Sequence, residues 1–310
     1  MSVTTKTFAI FFTVLSGLAS FSQRADSTKI FKHLENIINT ENYRNYQQVE
    51  VLNQVASYIY SAFDEYADTT FYQGYLVNST EYKNVIARFG PQDKPKLVIG
   101  AHYDVCGDQD GADDNASAVA AMLELARLLD GINPEYCIEL VAFTLEEPPF
   151  FATDKMGSYI HAKSLYDSGT EVLGMICMDM IGYYNDEKKS QQYPIPFLKL
   201  FYGSKGDYIT VVQKFHPGKF SRQAKRAFKK SKDLKVKSIM APEKMRGIDF
   251  SDHLNYWGFG YSAIFITNTG FYRNKQYHRE GDTLETLDLK RITQVCDQLY
   301  TVVWEISTNQ

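Results

Sequence analysis

The sequence is poor in cysteines and in long apolar runs and carries little net charge, and each of these features argues against a class of protein. Its 310 residues include 4 cysteines, at positions 106, 137, 177 and 296, and no CxxC pair. So few scattered cysteines argue against a disulfide scaffold and against a structural zinc site. Beyond residue 22 no apolar run reaches the ~18 residues of a transmembrane helix. The formal net charge of −4 argues against a dedicated nucleic-acid binder.

The first residues instead have the pattern of an export signal. Lys6 precedes an uncharged stretch from Phe8 to Phe21, and Ser20 and Ser22 are small residues suited to cleavage after Ser22. As a helix this stretch rises only about 21 Å, short of the roughly 30 Å hydrocarbon core. We predict a signal peptide over residues 1–22, an exported mature protein and no stable membrane span. A buried N-terminal helix is the alternative.

The remaining chain, residues 23–310, is predicted to form one α/β domain. Helical spacing of apolar residues from Leu52 to Phe63 and in Asn115–Leu129, and a closing segment over 288–306, predict helices. Two β-rich segments, Phe71–Val77 and Asn84–Phe89, precede four short apolar runs, which are Lys96–Ala101, Cys137–Thr144, Val172–Met180 and Ala263–Thr267. Such runs are typical of strands buried on both faces. We therefore predict a mixed, mostly parallel sheet covered by helices on both faces.

One segment is strongly basic. Lys219 to Lys237 holds nine Lys or Arg and a single acid, Asp233. A solvated helix face is the simpler interpretation, and steering of an anionic partner or substrate is the other.

The residues that carry chemistry cluster where predicted strands end. His102 ends the run Val98-Ile-Gly-Ala-His, and Asp104 leaves the strand on the same side, where it can orient the ring of a metal-binding histidine. Asp113 and Asp114 then open a helix. One of them alone would serve as a helix cap, but two beside His102 exceed what a cap needs.

Further carboxylates and a histidine follow the later strands. Glu146 and Glu147 would repel each other unless a cation lies between them, and a solvated strand end is the alternative. Asp179 lies among apolar residues, where an unpaired carboxylate is costly. Tyr277-His278 precedes Gly281-Asp282, although a lone late histidine is more often structural. Nitrogen and carboxylate ligands of this kind suit catalytic zinc.

In this order and at these intervals, the motifs resemble the co-catalytic zinc aminopeptidase family, which also contains glutamate carboxypeptidase II-like enzymes and animal-type glutaminyl cyclases. The similarity spans about residues 80 to 305 and rests on the following motifs: His102-x-Asp104, Gly-Ala-Asp113-Asp114-Asn-Ala-Ser, Glu146-Glu147, Met-Asp179-Met and Tyr277-His278 through Asp282-Thr283. Ser251-Asp252-His253 also resembles the segment before the family's last sheet strand, where the histidine is not a ligand.

The resemblance implies a zinc-dependent exopeptidase with two zinc ions. Asp113 would bridge them, His102 and Asp179 would complete one site, and Glu147 and His278 the other. Asp104 would support His102, Glu146 would be the general base, and Tyr277 a donor to the oxyanion. The peptide bond between the two aspartates would be cis, as is typical of the family.

The resemblance leaves the substrate class open. A compact aminopeptidase acting on peptides with a free N-terminus is favoured, because all five ligands are present and no accessory domain is evident. The alternatives are a one-zinc glutaminyl cyclase and a non-catalytic binding relative. The family's Gly-rich turn is replaced by Pro148-Pro-Phe-Phe151, whose aromatic rings either wall a pocket for an apolar side chain or simply pack. Cobalt or manganese in place of zinc also remains open.

Overall fold

The computed structural model describes residues 24–308, so the predicted signal peptide lies outside the described residues. The strands are β1 (Thr69–Val77), β2 (Thr80–Phe89), β3 (Lys96–His102), β4 (Cys137–Phe143), β5 (Val172–Met178), β6 (Ile209–Lys214), β7 (Val236–Ala241) and β8 (Ala263–Thr267). The helices are α1 (Ser27–Ile38), α2 (Val49–Asp64), α3 (Ser117–Leu129), α4 (Gly157–Asp167), α5 (Lys199–Tyr202), α6 (Gly218–Phe228), α7 (His253–Gly258) and α8 (Leu289–Thr308).

The eight strands form one mixed sheet in the order β1-β2-β4-β3-β5-β8-β6-β7. Its centre is parallel, because β3 pairs in parallel with β4 and β5, and β5 pairs in parallel with β8. The strands β1 and β2 extend one side antiparallel, and β6 is antiparallel to β8. The carboxyl ends of β4, β3, β5 and β8 therefore meet at one edge of the sheet.

Helices cover both faces of this sheet, as predicted. Successive residues of β3 show the two faces: Leu97 and Ile99 join a core with α1, α2, α3, α6 and α8, whereas Val98 joins the core under α4 and α7. Every residue of β3 and β4 is buried, as the continuous apolar runs indicated. The predicted single α/β domain is confirmed.

The sequence prediction missed two strands, β6 and β7. In β7 most residues are only partly buried, since the strand lies at the edge of the sheet, and its sequence VKSIMA lacks an apolar run. The basic segment covers most of α6 and reaches the first two residues of β7. In α6, Phe220, Ala224 and Phe228 are buried while most of the Lys and Arg are exposed. The simpler interpretation, a solvated helix face, therefore describes α6.

All four cysteines are free thiols; Cys137, Cys177 and Cys296 are buried, and Cys106 is half-buried. Within residues 24–308, no helix is both long and apolar enough to cross a membrane.

Candidate metal centre at the carboxyl edge of the sheet

The sheet brings the predicted ligands together because each follows a central parallel strand. His102 is the last residue of β3, and Asp179 comes directly after β5. Glu146 and Glu147 follow β4, and His278 lies in the loop after β8. All but His278 are nearly fully buried. Parallel strand ends at one edge are where open α/β sheets collect their ligands.

The carboxylate of Asp114 lies at the centre of this group. Its Oδ1 is 3.3 Å from Nε2 of His102, and its Oδ2 is 3.4 Å from Nε2 of His278. Oδ2 of Asp179 is 3.6 Å from the same nitrogen of His102, and Oε2 of Glu147 is 3.1 Å from that of His278. Asp114 thus faces one histidine–carboxylate pair with each oxygen.

The prediction that Asp113 takes this central position is wrong. Its carboxylate is buried away from the histidines and accepts hydrogen bonds from the backbone amides of Gly182 and Tyr183, at 2.8 and 3.0 Å. It also accepts from the side-chain amides of Asn268 and Asn274, at 2.8 and 3.0 Å. With both oxygens engaged by four donor groups, Asp113 holds the surrounding loops and has no free lone pair directed at a metal.

The backbone before α3 explains the shift of one residue. The amides of Asp113 and Asp114 each donate 3.0 Å hydrogen bonds to the carboxylate of Asp282, which fixes this turn against the loop after β8. The cis peptide bond lies between Asp114 and Asn115, not between the two aspartates as predicted. Asp282 was visible in the sequence only as part of the family motif, without a role.

Asp104 supports the site differently from the prediction. Its backbone carbonyl oxygen, and not its carboxylate, lies within hydrogen-bond distance of Nδ1 of His102, at 3.1 Å, while the carboxylate is 3.6 Å away. The carboxylate instead accepts hydrogen bonds from the amides of Glu146 and Glu147, at 3.2 and 3.1 Å. Asp104 therefore orients the His102 ring and both glutamates at once.

The buried carboxylates of this group favour the binding of a cation. Burial raises the pKa of Glu147 to about 7 and that of Glu146 well above its usual value. Burial lowers the pKa of His102, but the carboxylates around it, Glu146 first, outweigh burial and raise the pKa well above its usual value. Buried carboxylates this close together are costly without a neutralising charge.

The free ligand atoms test whether a metal fits. Among residues 24–308, neither Nε2 of His102 nor Nε2 of His278 nor Oε1 of Glu147 makes a hydrogen bond, although each atom is buried. Buried polar atoms are almost always paired, so these three are available as ligands. Imidazole and carboxylate donors suit zinc. The donor set fits the metal that the sequence implied.

A cavity of about 250 Å³ opens directly onto this group. Away from the carboxylates its wall is mostly apolar and aromatic, formed by residues that include Phe151, Tyr202, Val212, Ile239, Phe250 and Phe265. Arg246 also lines it. Of the two phenylalanines after Pro149, Phe151 lines the cavity, whereas Phe150 packs edge-to-face on Tyr46 with ring centroids 5.3 Å apart.

Tyr277 also lines the cavity, and its ring stacks on His278 with centroids 3.8 Å apart. Burial raises the pKa of Tyr277, which keeps the hydroxyl protonated and able to donate. His253, by contrast, is buried against Phe265 and Trp257, and its Nε2 lies 2.7 Å from the carbonyl oxygen of Ile248. As the resemblance implied, His253 is a packing residue outside the group.

One known protein family matches most of the chain. The model of peptidase family M28 matches residues 84–303. The chain belongs to this family. This confirms two predictions: that the chain is a relative of the co-catalytic zinc aminopeptidases, and that it is a zinc metallo-exopeptidase.

This M28 peptidase is also similar to individual proteins and solved structures. The uncharacterized protein YfbL of Escherichia coli strain K12 is 41% identical over 298 residues, covering 94% of this chain and 91% of YfbL. The Legionella pneumophila LapA aminopeptidase has a TM-score of 0.72 at 20% identity, covering 92% of this chain and 73% of LapA. Porphyromonas gingivalis glutaminyl cyclase has a TM-score of 0.68 at 18% identity, covering 91% and 98%. The two structural likenesses show the shared fold.

Proposed function

We propose that this M28 peptidase is an exported aminopeptidase that uses two zinc ions and removes apolar N-terminal residues from peptides. The observation that carries the two-metal assignment is the position of Asp114. Its two oxygens face different histidines, at 3.3 and 3.4 Å. His102 and Asp179 would hold one ion, Glu147 and His278 the other, and Asp114 would be shared.

The bound metals would polarise the scissile carbonyl and make water a better nucleophile at neutral pH. Glu146 lines the cavity, with Oε2 3.8 Å from Nε2 of His102, and burial raises its pKa, which makes the ionised carboxylate a stronger base. Glu146 would take the proton of the attacking water at its carboxylate and deliver it to the leaving amine. Tyr277 would donate a hydrogen bond from its hydroxyl to the carbonyl oxygen as negative charge develops there.

The cavity supports the preference for an apolar N-terminal side chain. Its aromatic and aliphatic wall begins beside Asp179 and Glu147 and extends over strands β8, β6 and β7. A side chain entering this space leaves water for an apolar surface, which is favourable. A basic side chain would lose its hydration against this apolar wall and would also face Arg246, which lines the cavity.

The test is mass spectrometry of a mixed pool of short peptides incubated with the zinc-loaded mature protein. We expect stepwise loss of apolar N-terminal residues, abolished by a chelator. Glu146→Gln keeps the shape of the side chain but not its basicity, so it should retain both metals and lose about 10²–10⁴-fold in kcat. Glu305→Gln, which alters a glutamate on α8 paired with Lys230, is the matched control and should remain active.

Other products would contradict the proposal. Loss of ammonia from Gln-initiated peptides alone would identify a glutaminyl cyclase, and the two-metal assignment would then be withdrawn. Binding without turnover would identify a non-catalytic relative. Export is tested separately, by the intact mass of protein recovered outside the cytoplasm, which should lack residues 1–22.

A further inference from the structure

Cys106 is the one cysteine that is not fully buried, and it lies beside the metal centre. Its sulfur, a nitrogen of His278 and an oxygen of Glu147 all lie within 4.8 Å of one another. This arrangement was not visible in the sequence, because Cys106 follows His102 in a loop without any ligand motif.

The two neighbours of the thiol offer free ligand atoms. Oε1 of Glu147 is buried without a hydrogen-bond partner among residues 24–308, and the same is true of Nε2 of His278. Glu147 is also part of a second close group of three, with His102 and Asp114. The thiol therefore faces the side of the centre that Glu147 and His278 form, and not the side of His102 and Asp179.

The loop that carries Cys106 is anchored on both sides of the thiol. Arg44, buried between α1 and α2, donates to the carbonyl oxygens of Tyr103 and Gly111, at 2.9 and 2.6 Å. The side-chain amide of Asn45 donates to the carbonyl oxygen of Gly107 at 3.0 Å. The backbone around Cys106 is thus fixed by contacts independent of the metal ligands, so the position of the thiol does not depend on a flexible loop.

From this geometry we infer that Cys106 supplies a thiolate ligand to the metal ion held by Glu147 and His278. The inference rests on the proposed two-metal function and extends its ligand set by one sulfur. On binding, the Sγ–H bond breaks, the sulfur lone pair coordinates the metal and the proton leaves to solvent. Because thiolate is a soft ligand, this position should favour zinc or cadmium over manganese more strongly than the position of His102 and Asp179.

The test is the spectrum of the full mature protein loaded with two equivalents of cadmium after chelator treatment. We expect an ultraviolet sulfur-to-cadmium charge-transfer band that is lost in Cys106→Ser. The band should be kept in the matched control Cys137→Ser, whose buried thiol lies 3.7 Å from Nζ of Lys96. X-ray absorption of the zinc-loaded protein should show a sulfur shell at ~2.3 Å in addition to the nitrogen and oxygen shell at ~2.0–2.1 Å. A chelator should remove one of the two zinc ions from Cys106→Ser at an at least about tenfold lower concentration.

The outcomes separate this inference from the proposed function. Two bound metals with neither a band nor a sulfur shell would overturn the thiolate ligand and leave the two-metal peptidase intact. A band that persists in Cys106→Ser would mean that another cysteine supplies the sulfur, and would also overturn it. Fewer than two bound metals in the wild type would overturn the two-metal assignment, and only the absence of the band and the sulfur shell would overturn the thiolate as well.

Discussion

The adjacent residues Asp113 and Asp114 should respond in opposite ways to the same substitution. Asp114→Asn removes the carboxylate shared by the two histidines, whereas Asp113→Asn alters a carboxylate that only receives hydrogen bonds. We expect Asp114→Asn to lose bound metal while remaining folded. We expect Asp113→Asn to lose stability while the folded fraction still binds two metals.

The magnitude for Asp113→Asn follows from its contacts. Oδ1 accepts from the amides of Gly182 and Tyr183, and Oδ2 from Nδ2 of Asn268 and Asn274; Nδ2 of Asn268 also lies 3.1 Å from Oδ1. An asparagine can keep the first pair but turns an NH₂ group toward two donors. The two donors cannot simply rotate, because Oδ1 of each asparagine already accepts a backbone hydrogen bond. Two lost hydrogen bonds to a charged group correspond to about 3–6 kcal/mol of unfolding free energy.

The assay pairs urea denaturation of chelator-treated protein with metal content of the folded, zinc-loaded protein after dialysis. Since 3–6 kcal/mol is a large part of a typical stability, Asn274→Ala provides a milder test. It removes one donor to Asp113 and should cost about half as much. If Asp113→Asn lost metal at unchanged stability, and Asp114→Asn kept both ions, Asp113 would be the shared ligand and our reasoning would be refuted.

Three further predictions concern catalysis, specificity and stability. Tyr277→Phe should lower kcat by about 10²-fold with little change in KM; steady-state kinetics showing a change in KM alone would assign the hydroxyl to binding. Val212→Phe fills part of the cavity and should lower the kcat/KM ratio of Leu- to Ala-initiated peptides by about tenfold, and an unchanged ratio would place the substrate side chain elsewhere. Glu139→Gln should cost about 3–5 kcal/mol in urea denaturation at pH 7, because it strands the buried Lys96, whose Nζ lies 2.9 Å from Oε1. Burial raises the pKa of Glu139, but His161 and Lys96 outweigh burial and lower it, so this stabilisation exists above the unfolded pKa near 4.5 and fades as pH falls below it. Variant and wild type should therefore converge in acid, and a constant difference would contradict the ion-pair interpretation.

The sequence predicted the central sheet well because strands buried on both faces consist of nearly continuous apolar residues. Strands β3, β4, β5 and β8 are short, mostly apolar runs, and the prediction placed each within two residues of its bounds at either end. The strand β7 has no continuous apolar run, since half-exposed residues at a sheet edge need not be apolar. Prediction therefore succeeded where both faces of a strand are buried and failed at the edge.

The choice between Asp113 and Asp114 illustrates a different limit. Both are buried aspartates, and they are adjacent in one motif, so residue type and spacing do not distinguish them. What separates them is the direction in which each side chain leaves the turn, and contacts with Asp282, Asn268 and Asn274 help to fix that direction. These partners lie more than 150 residues further along the chain, so local pattern holds no information on them.

One backbone contact recurs around the site: a carboxylate accepts hydrogen bonds from two successive backbone amides. Asp104 accepts from the successive amides of Glu146 and Glu147, and Asp282 accepts from those of Asp113 and Asp114. Asp113 in turn accepts from the successive amides of Gly182 and Tyr183, shortly after Asp179.

Each of these three carboxylates therefore fixes the backbone at or near a proposed ligand without touching the position of a metal. Because the backbone is fixed, the ligand side chains lose little conformational entropy when a metal binds. That entropy loss therefore offsets less of the binding free energy. A dication at the centre would also favour the charged forms of the nearby carboxyls, since burial otherwise raises the pKa of Asp113 and that of Asp282. Their burial is thus explained by the metal centre that they surround.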